Sequence, residues 1–207
     1  MKTVLFDIDG VLIDSKKANE EFYKDLMWQI GGKIPTKTDL DFFFICTSKE
    51  AIKRFYPHFT EKEIKKAQNL SFKIYPRVHR FEKLIPYIKP VLKKLKKKYQ
   101  LGVVTGRLTT KVLDYFKLSR FFDVFITAQN YTHPKPHPEP LLMAIKKLKT
   151  TPQETVYIGD AKSDAEAAKR AGIAFIAYKN KSLKTPHHFT DFRQLPKMLK
   201  NVSKKTK

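Results

Sequence analysis

An apolar run that ends in two acids and a glycine constrains this chain more than any other stretch. Val4, Leu5 and Phe6 read as a short buried strand. Asp7 and Asp9 follow at its carboxyl end, and Gly10 lets the backbone turn sharply. Residues two apart on extended backbone project to the same side. Asp7 and Asp9 therefore converge on one site if the extended course continues past the strand. Two carboxylates held close repel each other, and a cation between them is the natural resolution. Open α/β sheets bind ligands at the carboxyl ends of their strands, so this short stretch already points to a sheet edge as the place of function.

After Ser15 the pattern becomes helical. Ala18, Phe22, Leu26 and Ile30 recur every four residues up to Gly31-Gly32. No apolar strand run ending in a polar loop occurs from Lys33 to Lys83. Thr60-Glu-Lys-Glu63 is a capping box that predicts a helix with Ile64, Ala67, Leu70 and Ile74 inward. Phe42, Phe43, Phe44 and Ile45 form a dense apolar cluster, more fitting for the interior of this segment than for the mouth of a site.

From Pro86 onward, helices and strands alternate. Val91, Leu92, Leu95 and Tyr99 mark a helix, and Leu101 to Val104 a strand that ends in Thr105-Gly106-Arg107. Thr109 to Lys117 is expected to be a helix burying Val112, Leu113 and Phe116, with a strand at Val124 to Thr127. Pro134 to Pro138 is a rigid loop; His133 and His137 beside Lys135 suggest a metal site, but with prolines between them they give no helical pair and read as loop residues. Glu139 to Leu148 is expected to be a helix burying Leu141, Leu142, Ile145 and Leu148. Thr155 to Asp160 is a strand, Ser163 to Ala171 a helix closed by Gly172, and Ile173 to Ala177 a strand. Phe189 to Leu199 reads as a small terminal unit. The expected fold is α/β: a Rossmann-like parallel sheet with helices on both faces, built from residues 1–15 and 84–207. Residues 16–83 form an inserted all-helical domain.

Four strand ends carry polar groups, and in a parallel sheet all of them open onto one edge. In order they are Asp7-x-Asp9-Gly-Val-Leu, Val-Val-Thr105-Gly106, Lys135-Pro, and Gly159-Asp160-x3-Asp164. This set resembles the haloacid dehalogenase-like hydrolase superfamily. The strings Lys135-Pro-His-Pro-Glu-Pro-Leu-Leu and Glu154-Thr-Val-Tyr-Ile-Gly-Asp-Ala-Lys-Ser-Asp164 are similar to the phosphoglycolate phosphatase-like group. The resemblance implies that Asp7 is a nucleophile forming an aspartyl-phosphate, and that Asp9 is the acid and then the base. It implies that Thr105 and the Gly106 amide bind phosphoryl oxygens and that Lys135 neutralises the charge there. Mg2+ would be held by Asp7, Asp160 and the backbone carbonyl of Asp9. Asp164 would reach the metal or orient Lys135. The insert resembles the family's helical cap, and in the hinge Leu84 to Lys89 Tyr87 stands where relatives commonly carry glycine. Arg107 is weighed equally between touching substrate and facing solvent.

The remaining composition bears on partners. Lys and Arg number 42 against 20 acids, a formal charge of +22, which attracts anions. The lysines are scattered, however, with denser groups at Lys93 to Lys98 and Lys200 to Lys207, and neither zinc-finger spacing nor an aromatic RNA-binding signature occurs. No apolar run approaches a membrane span, and the single cysteine, Cys46, allows no internal disulfide, which together favour a cytoplasmic enzyme. The expected activity is a Mg2+-dependent phosphatase acting on a small phosphorylated metabolite. A phosphomutase would share these residues and differ in its cap. A nucleic-acid-binding module using the basic surface is the third reading, and the intact Asp7 and Asp9 argue against it.

Overall fold

The structure, a computed structural model, describes residues 1–44 and 46–205. Ile45 of the aromatic cluster and the last two residues of the Lys200–Lys207 run lie outside the described residues. The chain divides into two units, Met1–Ile13 with Leu84–Lys207, and Asp14–Lys83. It leaves the first unit after strand β1 (Thr3–Phe6) through the two-residue strand β2 (Ile13–Asp14), and returns through β3 (Lys83–Leu84), which pairs with β2.

The unit Asp14–Lys83 is helical: α1 (Lys16–Gly31), α2 (Lys37–Phe43), α3 (Ser48–Phe55) and α4 (Glu61–Val78). Local sequence fixes the starts of the last three. Thr36, Thr47 and Thr60 each accept the amide three residues on, while Asp39, Glu50 and Glu63 return a carboxylate to the threonine amide. Helix α1 stops at Gly32, whose φ of 67° is left-handed. Its buried face is Ala18, Tyr23, Leu26 and Met27 rather than the predicted fourfold stripe; Phe22 and Ile30 are only partly buried. The reason is geometric: steps of four residues drift by about 40° each around a helix of 3.6 residues per turn. In α4, Ile64, Ala67 and Ile74 are buried as expected and Leu70 partly so. Of the phenylalanine cluster, Phe43 is buried and packs its ring on Tyr23 and Phe55.

The other unit is built on one sheet. After α5 (Ile88–Lys96) come β4 (Gln100–Val104), α6 (Lys111–Tyr115) and β5 (Val124–Ile126). Then follow α7 (Glu139–Lys147), β6 (Thr155–Gly159), α8 (Lys162–Arg170), β7 (Ala174–Tyr178), β8 (His188–Phe189) and α9 (Leu195–Lys205). The strand order is β5-β4-β1-β6-β7-β8, with every pairing parallel. β1 is therefore central, with Leu5 opposite Gly102 on one side and Tyr157 on the other. The order reverses at β1, and crevices form at the carboxyl edge of such a point.

The two faces bury different sets. Val4, Phe6, Val103 and Ile158 pack with residues of α5, α6 and α9. Leu5, Val104, Ile126 and Tyr157 pack with residues of α7 and α8. Alternation along the strands thus puts helices on both faces, as expected.

Three details differ from the sequence expectation. Leu142 is 42% exposed, because α7 buries Leu141, Ala144, Ile145 and Leu148 at three- and four-residue spacing. Helix α6 is short and Phe116 only partly buried. The expected terminal unit is instead the sixth strand and last helix of this sheet; a two-residue strand is too short to show alternation. Tyr87, between β3 and α5, has a φ of 64°, the left-handed region that glycine enters at little cost, and the Arg193 guanidinium lies 4.1 Å from its ring centroid.

Ile74 is fully buried in α4, whereas Phe72 of the same helix is 55% exposed. Ile74→Ala is expected to cost about 2–5 kcal/mol, and Phe72→Ala about 0.5 kcal/mol or less. Urea unfolding followed by circular dichroism checks both.

Candidate active site

Backbone pairing carries β1 past its last ladder residue: the Asp7 amide donates to Ile158 C=O at 3.0 Å. Asp7 therefore keeps the strand's alternation and lies on the Leu5 face, the face covered by α7 and α8. The chain then curls, with the Leu12 and Ile13 amides donating to Ile8 C=O and the Gly10 amide to Ile13 C=O. Gly10 has a φ of 71°, and a Cβ there would lie 2.0 Å from Asp160 Oδ2. Glycine at this position lets the β1 loop and the end of β6 meet.

Lys135 reaches the same place from the loop before α7. Its ammonium has three protons and three neighbours: Asp164 Oδ1 at 2.6 Å, Tyr157 Oη at 2.9 Å and Asp7 Oδ2 at 3.2 Å. Asp164 is fully buried in the first turn of α8. Its Oδ1 faces Lys135 and the Tyr157 hydroxyl, and its Oδ2 accepts the amides of Asp160 at 3.2 Å and Ala161 at 3.1 Å. This close seat requires Gly159, since a Cβ there would lie 2.5 Å from Asp164 Cβ. Asp160 is anchored through its carbonyl, which accepts Asn180 Nδ2 at 2.7 Å.

Asp7, Asp160 and Asp164 bring carboxylate oxygens within 4.8 Å of one another. Burial, with the neighbouring carboxylates Asp164 and Asp9 adding to it, pushes Asp7 up to about 7 against the pull of Lys135. Burial first, and then Asp7 and Asp164, push Asp160 up to about 8. Burial opposes the charge on Lys135, but Asp164 and Asp7 outweigh it and hold the ammonium well above its usual value. One buried cation among three acids leaves a deficit of positive charge. That deficit and the all-oxygen donor set fit a hard divalent cation.

Thr105 directly follows β4, which pairs with β1, and is fully buried. Its amide donates to Ile126 C=O at 2.9 Å, its Oγ1 accepts the Arg107 amide at 3.2 Å, and its carbonyl accepts the Tyr131 hydroxyl at 3.2 Å. Gly106 follows at an exposed turn, where an added Cβ would meet nothing within 4 Å. Asp9 is turned differently from Asp7. Its carboxylate takes two bonds from Arg107, Nε to Oδ2 at 2.8 Å and Nη2 to Oδ1 at 2.5 Å. Arg107, weighed in the sequence between substrate and solvent, instead forms this fork-like pair and leaves its side chain 14% exposed.

The sequence reading missed Tyr157. A polar side chain two residues before Gly159 on a strand shares the face of that glycine, which is the face Asp164 covers. That spacing was the available signal. The hydroxyl accepts from Lys135 and has Asp164 Oδ1 at 3.0 Å and Val104 C=O at 3.2 Å as acceptors for its single proton. Among the described residues, no helix is long and apolar enough to cross a membrane.

Residues 4–178 match the family of haloacid dehalogenase-like hydrolases. A phosphoglycolate phosphatase of Aquifex aeolicus is 32% identical over 83% of this chain and 82% of its own length. The pyrophosphatase PpaX of Oceanobacillus iheyensis is 29% identical, covering 93% of this chain and 89% of that protein. Among solved structures, a subfamily IA hydrolase of Geobacter sulfurreducens superposes with a TM-score of 0.76 at 30% identity, over 96% of both chains. A β-phosphoglucomutase of Clostridium difficile shares the fold, with a TM-score of 0.87 at 21% identity over 99% of this chain and 98% of that one.

Tyr157→Phe removes the hydroxyl that Lys135 and Asp164 share. It is expected to cost about 1–3 kcal/mol, the range for leaving buried polar groups short of a partner. Denaturant unfolding of both proteins measures it; a cost near zero would mean that water replaces the hydroxyl.

Proposed function

The chain belongs to the haloacid dehalogenase-like hydrolase family, and from that premise we propose that it is a Mg2+-dependent phosphatase that hydrolyses small phosphate monoesters through an aspartyl-phosphate on Asp7. The observation that carries the reading is the buried Asp7 with Lys135 at 3.2 Å at the carboxyl edge of the central strand. Relatives named for phosphoglycolate and pyrophosphate hydrolysis support phosphoglycolate-like or sugar phosphate-like substrates and add pyrophosphate to those worth testing. Residues 16–83 are read as the family's cap, and the single cysteine fits a cytoplasmic setting.

In this reading the Asp7 carboxylate attacks phosphorus and the ester oxygen leaves. Lys135 offsets the charge of both nucleophile and phosphoryl group. Thr105 and the exposed Gly106 amide donate to phosphoryl oxygens. Asp9 gives its proton to the departing oxygen and then takes one from the water that cleaves the acyl phosphate, regenerating Asp7. The two bonds from Arg107 favour the ionised Asp9, so Asp9 takes up its proton from solvent on release from that pair before acting as the acid. Asp164 acts as orienter of Lys135: its Oδ1 bonds the ammonium at 2.6 Å while two backbone amides hold its Oδ2. Mg2+ would be held by Asp7, Asp160 and the Asp9 carbonyl, and would supply positive charge against the developing phosphoryl charge.

Asp7→Asn is expected to lower phosphate release by more than about a thousandfold, as loss of a covalent nucleophile does, with an unchanged circular dichroism spectrum. The screen covers phosphoglycolate, sugar phosphates and pyrophosphate. An isomerised product without free phosphate, or turnover within tenfold of the parent, would overturn the reading.

A second expectation follows from the raised carboxyl values. Asp7 and Asp160 keep protons in the metal-free folded chain up to about 7 and about 8, whereas an unfolded aspartate ionises near 3.9. Between these limits the folded state binds more protons, so metal-free stability falls as pH rises from about 4 to about 8. Mg2+ needs the ionised groups and relieves their repulsion. The gain in melting temperature on adding Mg2+ should therefore be larger at pH 8.5 than at pH 5.5; equal gains would count against this site.

A further inference from the structure

A second cluster of metal-ligating side chains lies in and beside the Lys135 loop. His133, His137 and Glu139 bring ligand atoms within 4.8 Å of one another and are exposed or half-buried. Both Nδ1 atoms face one oxygen: His133 Nδ1 is 2.8 Å from Glu139 Oε2, and His137 Nδ1 is 3.9 Å from it. The two imidazole rings lie 4.7 Å apart at 38°. Four-coordinate zinc, with bonds of about 2.0–2.1 Å, places its ligand atoms roughly 3.3 Å apart. The two observed separations bracket that value.

The loop backbone already holds the carboxylate in place: Glu139 Oε1 accepts the Thr132 amide and Oε2 the His133 amide, both at 2.9 Å. His137 Nδ1 accepts the Glu139 amide at 3.2 Å, a bond that it must give up to bind a metal. Pro134, Pro136 and Pro138 alternate with these residues and fix three φ angles, which lowers the ordering cost of ligation. The spacing of the two histidines gives no helical pair, and only the fold brings Glu139 to them.

We propose that His133, His137 and Glu139 form a site for a borderline transition cation of the Zn2+ class, separate from the all-oxygen site at Asp7 and Asp160. The cation takes the place of the proton between His133 Nδ1 and Glu139 Oε2, and that proton leaves to solvent. His137 Nδ1 exchanges its amide bond for the metal, and water completes the coordination. Imidazole nitrogens select Zn2+, Co2+ or Ni2+ over Mg2+, so Mg2+ leaves this site alone. Because Lys135 lies between the two histidines, the bound metal ties together both ends of the loop that delivers the ammonium to Asp7.

The test titrates the full chain with Co2+ in saturating Mg2+, followed by visible absorption, and then displaces Co2+ with Zn2+. His133→Gln and His137→Gln remove the imidazoles while Gln can still make the loop's hydrogen bonds; Asp160→Asn reports on the oxygen site. The parent and Asp160→Asn should show the intense bands of four-coordinate cobalt and one displaceable ion. Each histidine variant should bind at least tenfold more weakly, with an unchanged circular dichroism spectrum. Parent-like affinity in both histidine variants, or bands lost in Asp160→Asn instead, would overturn the proposal. None of these readouts depends on turnover, so the site stands or falls apart from the phosphatase reading.

Discussion

Three carboxyl groups share one buried pocket in this fold, and the ammonium of Lys135 makes the arrangement tenable. Taking charges out of water costs several kcal/mol per ion, and only close, fully satisfied pairing offsets it. Lys135 meets that condition, with contacts of 2.6, 2.9 and 3.2 Å for its three protons. The surrounding backbone is shaped to hold it. Gly159 lets Asp164 sit against β6, Gly10 lets Asp160 meet the β1 loop, and α8 begins where Asp164 can receive two amides. Even so, one cation does not balance three acids, and burial first, with the neighbouring carboxylates adding to it, leaves Asp7 and Asp160 raised.

The two faces of the sheet have separate roles. The face under α5, α6 and α9 buries a large cluster that includes Val4, Phe6, Leu101, Val103 and Ile158, with Tyr178 among them. The face under α7 and α8 contains Tyr157 among its aliphatic residues, and ends at the polar pocket. The first face supplies burial. The second trades some of that burial for a hydroxyl in the one position from which it reaches Lys135, Asp164 and the Val104 carbonyl together.

Much of this was legible in the sequence because it is local. Strands announced themselves as apolar runs, α4 by its capping box, and the pocket by acids and a lysine at successive strand ends. What escaped depends on chain segments meeting. The pairing of Arg107 with Asp9, the seat of Tyr157 and the gathering of Glu139 with two histidines require tertiary contacts that no period or spacing encodes. Short elements escaped as well: β8 has two residues, fewer than one alternation. The burial of Tyr23 in place of Phe22 shows the same limit at finer scale, since a one-residue phase error rotates a helical stripe by about 100°.

The central place of β1 also governs the order in which such a chain can be assembled. Phe6 pairs with Val103 on one side and Ile158 on the other. On a ribosome, the first strand made therefore waits for two of the later ones, with both edges open in the meantime. Asp14–Lys83, by contrast, is one continuous stretch with its own apolar cluster, and can gather as soon as it emerges. Long-range strand pairing is slow, and exposed strand edges invite association with other chains. Until β6 emerges the pocket does not exist, because Asp7 arrives with the first strand while Tyr157, Asp160 and Asp164 come only after more than two thirds of the chain has been made.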